Sequence, residues 1–151
     1  MLPLLQERVD VIVRIDFPVI LYTKKYILGG IKSENTLNIV GYKNYLKGCY
    51  DGAIIIDSSG KRLAVTKVSE DVNNKYYSIW NFIAQYRKVR VKLELSKPVF
   101  STLAEAREEI LSLIIKNRWY GSSDDTEESV KKYLEEASTF EELINKISVY
   151  P

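Results

Sequence analysis

Gly52-Ala53-Ile54-Ile55-Ile56-Asp57-Ser58-Ser59-Gly60-Lys61 is the stretch on which the fold turns. Apolar runs at 52–56 and 61–68 flank a four-residue segment that ends in glycine, a pattern that predicts a β-hairpin. Asp57 carries a short carboxylate able to accept the N–H groups of its own turn, and Gly60 tolerates the positive φ such a loop needs. Three consecutive isoleucines leave this strand no polar face, so it is expected to be central and covered on both sides.

The chain upstream also reads as extended. Val9, Val11, Val13 and Ile15 alternate with Asp10, Ile12, Arg14 and Asp16, which predicts a strand, and residues 19–22 form a second after Pro18. Tyr26-Ile27-Leu28 and Ile31-Lys32 read as short strands joined by a turn at Gly29-Gly30, and residues 38–42 as a weaker strand. Downstream, Ile79, Trp80, Ile83 and Tyr86 have helical spacing within residues 75–86, although the aromatics there also suit a strand or packed loop. Val89, Val91, Leu93 and Leu95 then alternate with charged residues, a strand with one solvated face, and Pro98 is expected to end the sheet.

The last fifty residues have helical patterning. Thr102 and Glu105 form a capping box ahead of an apolar face of Leu103, Ala106, Ile110, Leu113 and Ile114, and Gly121 marks the stop. A second helix follows Ser122-Ser123-Asp124-Asp125, with Val130, Tyr133, Leu134 and Ala137 inward. Ser138 and Glu141 open a third, whose face is Phe140, Leu143, Ile144 and Ile147. The prediction is one α+β domain over residues 1–151: a mainly antiparallel β-sheet in the N-terminal two-thirds, 1–100, packed against C-terminal α-helices in 101–151.

Composition excludes several chemistries. The 151 residues contain no histidine and one cysteine, so neither a Ser-His-Asp nor a Cys-His system, nor any imidazole metal site, can be built. Gly60-Lys61 is no phosphate loop, because Ile55 and Arg62 occupy the positions where a Walker motif needs glycine and Ser/Thr. Asp16, Asp51 and Asp57 flank apolar strands, yet their spacing does not pair them, and strand-end turns account for them. Cys49 lacks a base and reads as a small core residue. The chain is therefore expected to be no enzyme, with no catalytic residue, metal or cofactor. No stretch approaches the roughly 20 apolar residues of a membrane span and residues 1–7 do not read as a secretory signal, so a cytoplasmic protein is expected.

Charge divides the chain. The net +2 conceals 16 basic against 9 acidic residues in 1–100 and 6 against 11 in 101–151. The basic part interleaves lysines and arginines with tyrosines, and Lys24, Lys25, Lys43, Lys47, Arg87, Lys88 and Arg90 are its candidate nucleic-acid contacts. Sheet-face tyrosines and edge-strand lysines explain the same residues, and no RNA- or DNA-binding signature frames them. In the acidic part, Asp124, Asp125, Glu127, Glu128, Glu135 and Glu136 bunch near two helix starts. Helix dipoles explain most of them, but the patch would also steer a basic partner.

Residues 50–61 resemble the isoleucine strand, Asp-x-x-Gly turn and following strand of small bacterial immunity proteins, and the tail from Asn117-Arg118-Trp119-Tyr120 to Ile147-Ser148-Val149-Tyr150 is similar in style. Such proteins neutralise the toxins of polymorphic or contact-dependent growth-inhibition systems by binding them. The resemblance implies a non-catalytic, cytosolic protein with one protein–protein interface. Its partner would be a cognate toxin, for instance a nuclease with a basic cleft. In that reading Asp124, Asp125, Glu127, Glu128, Glu135 and Glu136 contact the toxin, and Trp119 and Tyr120 act as aromatic anchors. The alternative is a nucleic-acid-binding accessory domain.

Overall fold

The computed structural model describes residues 14–71, 88–120 and 123–147. The predicted strand at 9–15 and the ambiguous segment at 75–86 lie wholly or almost wholly outside these residues.

The chain is an α+β fold. Among the described residues its strands are β1 (Val19–Tyr22), β2 (Ile27–Ile31), β3 (Ile39–Gly41), β4 (Ile54–Asp57), β5 (Lys61–Glu70), β6 (Lys88–Leu95) and β7 (Val99–Phe100), all paired antiparallel. The order is β2-β1-β4-β5-β6-β3, with β7 also on β5. Short helices α1 (Glu34–Asn38) and α2 (Tyr42–Leu46) flank β3, and three longer helices close the described chain: α3 (Leu103–Asn117), α4 (Glu127–Glu135) and α5 (Phe140–Ile147).

The isoleucine strand is central, as the hairpin reading requires. Alternation sends Ile20, Tyr22 and Ile56 to one face of the sheet, where they pack with Ala106, Ile110 and Ile114 of α3, Val130 and Leu134 of α4, and Leu143, Ile144 and Ile147 of α5. Val19, Leu21, Ile55, Leu63 and Val65 go to the other face. There they meet Val89 and Val91 of β6, although two strands separate β1 from β6 in the sheet. The sheet thus curls over its own second core. A bulge in β5 helps to bend it: Val65 pairs with Leu95 and Lys67 with Glu94, leaving Thr66 without a register partner.

Gly29-Gly30 is no turn. β2 runs straight through it, and the register slips between Val19↔Ile31 and Leu21↔Leu28. The extra residue is a bulge, and Gly30 has the φ of +65° that a left-handed bulge position demands. The turn lies earlier, where Thr23 donates its N–H to the Tyr26 carbonyl at 2.9 Å. Nor does Pro98 end the sheet. Ser96 bridges to Ala64 through backbone and hydroxyl, both at 2.9 Å, and β7 then returns to pair with Lys61 and Arg62.

The helix ends differ in detail from the sequence pattern. Thr102 caps α3 through the Glu105 N–H at 3.1 Å, but the Glu105 carboxylate meets the Thr102 hydroxyl, not its backbone. The helix stops at Arg118, left-handed at φ 54°, before Gly121 is reached, and the Trp119 N–H closes on the Ile114 carbonyl at 3.0 Å. Thr126, not the preceding Ser/Asp cluster, caps α4 in a reciprocal box with Ser129. At α5 the pair is Thr139 and Glu142, one residue later than predicted. Thr139 Oγ1 accepts the Glu142 N–H at 3.1 Å, and the Glu142 carboxylate takes the Ser138 N–H at 2.7 Å.

Candidate functional site

The carboxylates beside the strands hold structure. Asp57 is fully buried, with its Oδ1 accepting the Ser59 and Lys61 N–H groups at 3.0 and 2.9 Å and its Oδ2 accepting the Asp16 N–H at 3.0 Å. The Lys61 ammonium lies 3.4 Å from Asp57 and 3.1 Å from Asp16. The hydrogen bond and charge of Lys61, aided by Arg14, hold the Asp16 carboxyl below its usual range. Every acceptor of Asp57 faces a donor of its own turn or of residue 16, the arrangement of a loop clasp. Asp51 stands apart, in the loop after α2. Cys49 is half-buried against the second core, and burial pushes its thiol up. Among the described residues no group of three or more Cys, Asp or Glu could hold a metal ion.

The predicted acidic residues occupy the exposed side of α4 and the loops at its ends. Glu127 and Glu128 lie in its first turn, where the helix dipole favours them, and are exposed without an ion-pair partner among the described residues. Glu135 and Glu136 sit at the opposite end, against the dipole, and are partly neutralised by Lys131 at 4.0 Å and Lys146 at 3.6 Å. Asp124 is exposed and Asp125 half-buried. Trp119 and Tyr120 are half-buried and pack against the core beneath the helices.

The structure reveals a second surface that the sequence reading missed. Val99 and Phe100 of β7 are 61% and 72% exposed, although both are large and apolar. They line a shallow concavity of about 420 Å³ with Glu105, Glu108 and Glu109 of α3. The register fixes why the strand stands open. Val99 pairs with Arg62 and Ser101 donates to the Gly60 carbonyl, so the intervening Phe100 directs its own N–H and C=O away from β5. Behind it, Arg62 grips Glu109 at 2.8 Å, and Glu109 also accepts from the Tyr22 hydroxyl. Burial pushes the Glu109 carboxyl up despite the guanidinium beside it. Glu105 and Glu108 have no ion-pair partner among the described residues. Two consecutive apolar residues after a proline were the available signal, since on a strand of period two they cannot both face the same core.

The basic candidates are divided. Lys24, Lys25 and Lys47 line one cleft, together with Asp51. Lys43 lies on α2, while Lys88 and Arg90 lie on β6, where Arg90 is held by Asn35 at 2.9 Å and Glu34 at 3.8 Å. Arg87 lies outside the described residues. No helix among the described residues is long and apolar enough to cross a membrane. No protein-family model, curated protein or solved structure matches the chain.

Proposed function

We propose that this chain is a non-catalytic protein-binding module that, in keeping with its resemblance to bacterial immunity proteins, neutralises a cognate toxin by direct binding. The observation that carries this reading is Phe100: a 72% exposed aromatic on an open strand, bordered by Glu105 and Glu108, which have no ion-pair partner among the described residues. A monomeric protein gains nothing in stability from such a ring, whereas an interface gains a desolvated anchor with a charged rim. Glu105 and Glu108 at that rim, with Glu127 and Glu128 on α4, suit a partner whose surface is basic. Asp124, Asp125, Glu135 and Glu136 extend the field that would steer it.

The test is co-expression of the full chain with the polypeptide encoded by the adjoining reading frame, followed by size-exclusion chromatography with light scattering. A stable one-to-one complex that blocks the partner's toxicity is expected. Separate elution of the two chains, with toxicity unchanged, overturns the reading.

A further inference from the structure

We propose that the cleft between the β1–β2 turn and the loop following α2, where Lys24, Lys25 and Lys47 converge, binds a compact phosphate monoester such as a mononucleotide. This site is separate from the protein-binding surface and does not depend on it. The cleft has a volume of about 530 Å³, within the roughly 300–1,000 Å³ typical of small-ligand sites. The charged residues that line it are Lys24, Lys25 and Lys47 against one acid, Asp51. None of the three lysines has an ion-pair partner among the described residues, so their charge is directed to a ligand or to water.

Both walls are fixed. In the β1–β2 turn the Thr23 hydroxyl accepts the Lys25 and Tyr26 N–H groups at 3.0 and 3.3 Å, which sets the direction in which Lys24 and Lys25 leave the backbone. The Tyr26 hydroxyl donates to the Cys49 carbonyl and so ties this turn to the loop after α2. Burial pushes the Tyr26 phenol up to about 12, so the tie keeps its proton through the neutral range. In the opposite wall Gly48 has φ +70°, and a Cβ there would lie 2.1 Å from the Asp51 carboxylate. Glycine is therefore what lets that carboxylate fold back over the residue that follows Lys47.

The chemistry selects the ligand. A phosphate monoester carries close to two negative charges near pH 7, which matches three ammoniums less one carboxylate. Asp51 and Asn44 stand beside them as acceptor and amide for the hydroxyls of an attached sugar. An extended nucleic-acid track fits less well, because Lys88 and Arg90 are not in this lining and Arg90 is already engaged by Glu34 and Asn35.

Isothermal titration of the full chain with adenosine monophosphate, with inorganic phosphate as competitor, tests the site. Saturable one-to-one binding is expected, displaced by phosphate, and weakened about tenfold or more in Lys24→Gln/Lys47→Gln because each lost ammonium removes a charge-assisted contact. Both lysines are exposed, so this variant keeps its fold, as an unchanged melting temperature verifies, and Lys67→Gln/Lys92→Gln on the sheet serves as the control. Absence of saturable binding, indifference to phosphate, or equal affinity in the cleft variant overturns the proposal. So does a single-stranded oligonucleotide that outcompetes the mononucleotide and depends equally on Lys88 and Arg90, since that result assigns an extended track.

Discussion

Asp57 holds Lys61 twice, taking its backbone N–H on Oδ1 at 2.9 Å and its ammonium at 3.4 Å on Oδ2. The same carboxylate also accepts the Asp16 N–H, so one fully buried side chain closes the central hairpin and anchors the chain entering the fold. Asp57→Asn is nearly isosteric, yet it turns an NH₂ group towards either the Asp16 N–H and the Lys61 ammonium or the turn's own N–H groups. A loss of about 2–3 kcal/mol is expected in urea unfolding, because buried donors are left facing a donor.

The acid response has a definite sign. Lys61 holds the Asp16 carboxyl below its ordinary 3.8, and the N–H and hydroxyl of Ser138 hold Glu142 below its ordinary 4.5. Depressed carboxyls bind protons more readily in the unfolded chain, so their stabilisation is complete above those ordinary values and is lost as pH falls through the lower folded ones. Glu109, raised by burial, acts in the opposite sense: its contribution is full at low pH and fades as pH rises through its folded value. The melting temperature should fall between about pH 5 and pH 3, and Asp16→Asn/Glu142→Gln should flatten that slope. A double variant with the wild-type slope would remove these two groups from the account.

Gly60 is required twice over. Its φ is +90°, and a Cβ there would lie 2.9 Å from the Phe140 ring and 3.1 Å from the Ser101 carbonyl. Gly60→Ala should cost about 2 kcal/mol or more by chemical denaturation, since a strained backbone and a displaced α5 ring add together. Gly52, also left-handed but with open space around it, should cost less when changed to alanine, which separates strain from collision.

The architecture was legible where one local pattern dominated. The hairpin at 52–68, the alternation of β6 and the apolar stripes of the three long helices each follow from side-chain period and turn chemistry alone. What escaped the sequence depended on non-local pairing. Gly29-Gly30 looks like a turn until the β1 register shows a bulge, and Pro98 looks like a terminator until β5 offers Val99 and Phe100 a partner on the far side. Cap positions slipped by a residue or more because Thr126 and Thr139 compete with neighbouring Ser and Asp for the same N–H groups. The candidate site was legible only as charge. Helical pattern locates Glu127 and Glu128, but nothing local distinguishes Trp119 and Tyr120, half-buried against the core, from Phe100, which is exposed.

Phe100 provides a clean separation of binding from folding. At 72% exposure it contributes little to the core, so Phe100→Ala should shift unfolding by less than about 0.5 kcal/mol. If the ring is the interface anchor, the same variant should weaken partner binding by about 2 kcal/mol or more by titration calorimetry. Equal loss of stability and binding would instead make Phe100 a structural residue.

The most direct measurement is the stopped-flow association rate of the full chain with the polypeptide of the adjoining reading frame, taken across a salt series. The comparison is wild type against Asp124→Lys/Glu127→Lys/Glu128→Lys/Glu135→Lys. An acidic face that steers a basic partner predicts a wild-type rate that falls steeply with salt, and a reversed variant about tenfold or more slower at low salt while still folded. Equal rates for the two proteins, indifferent to salt, would contradict the account.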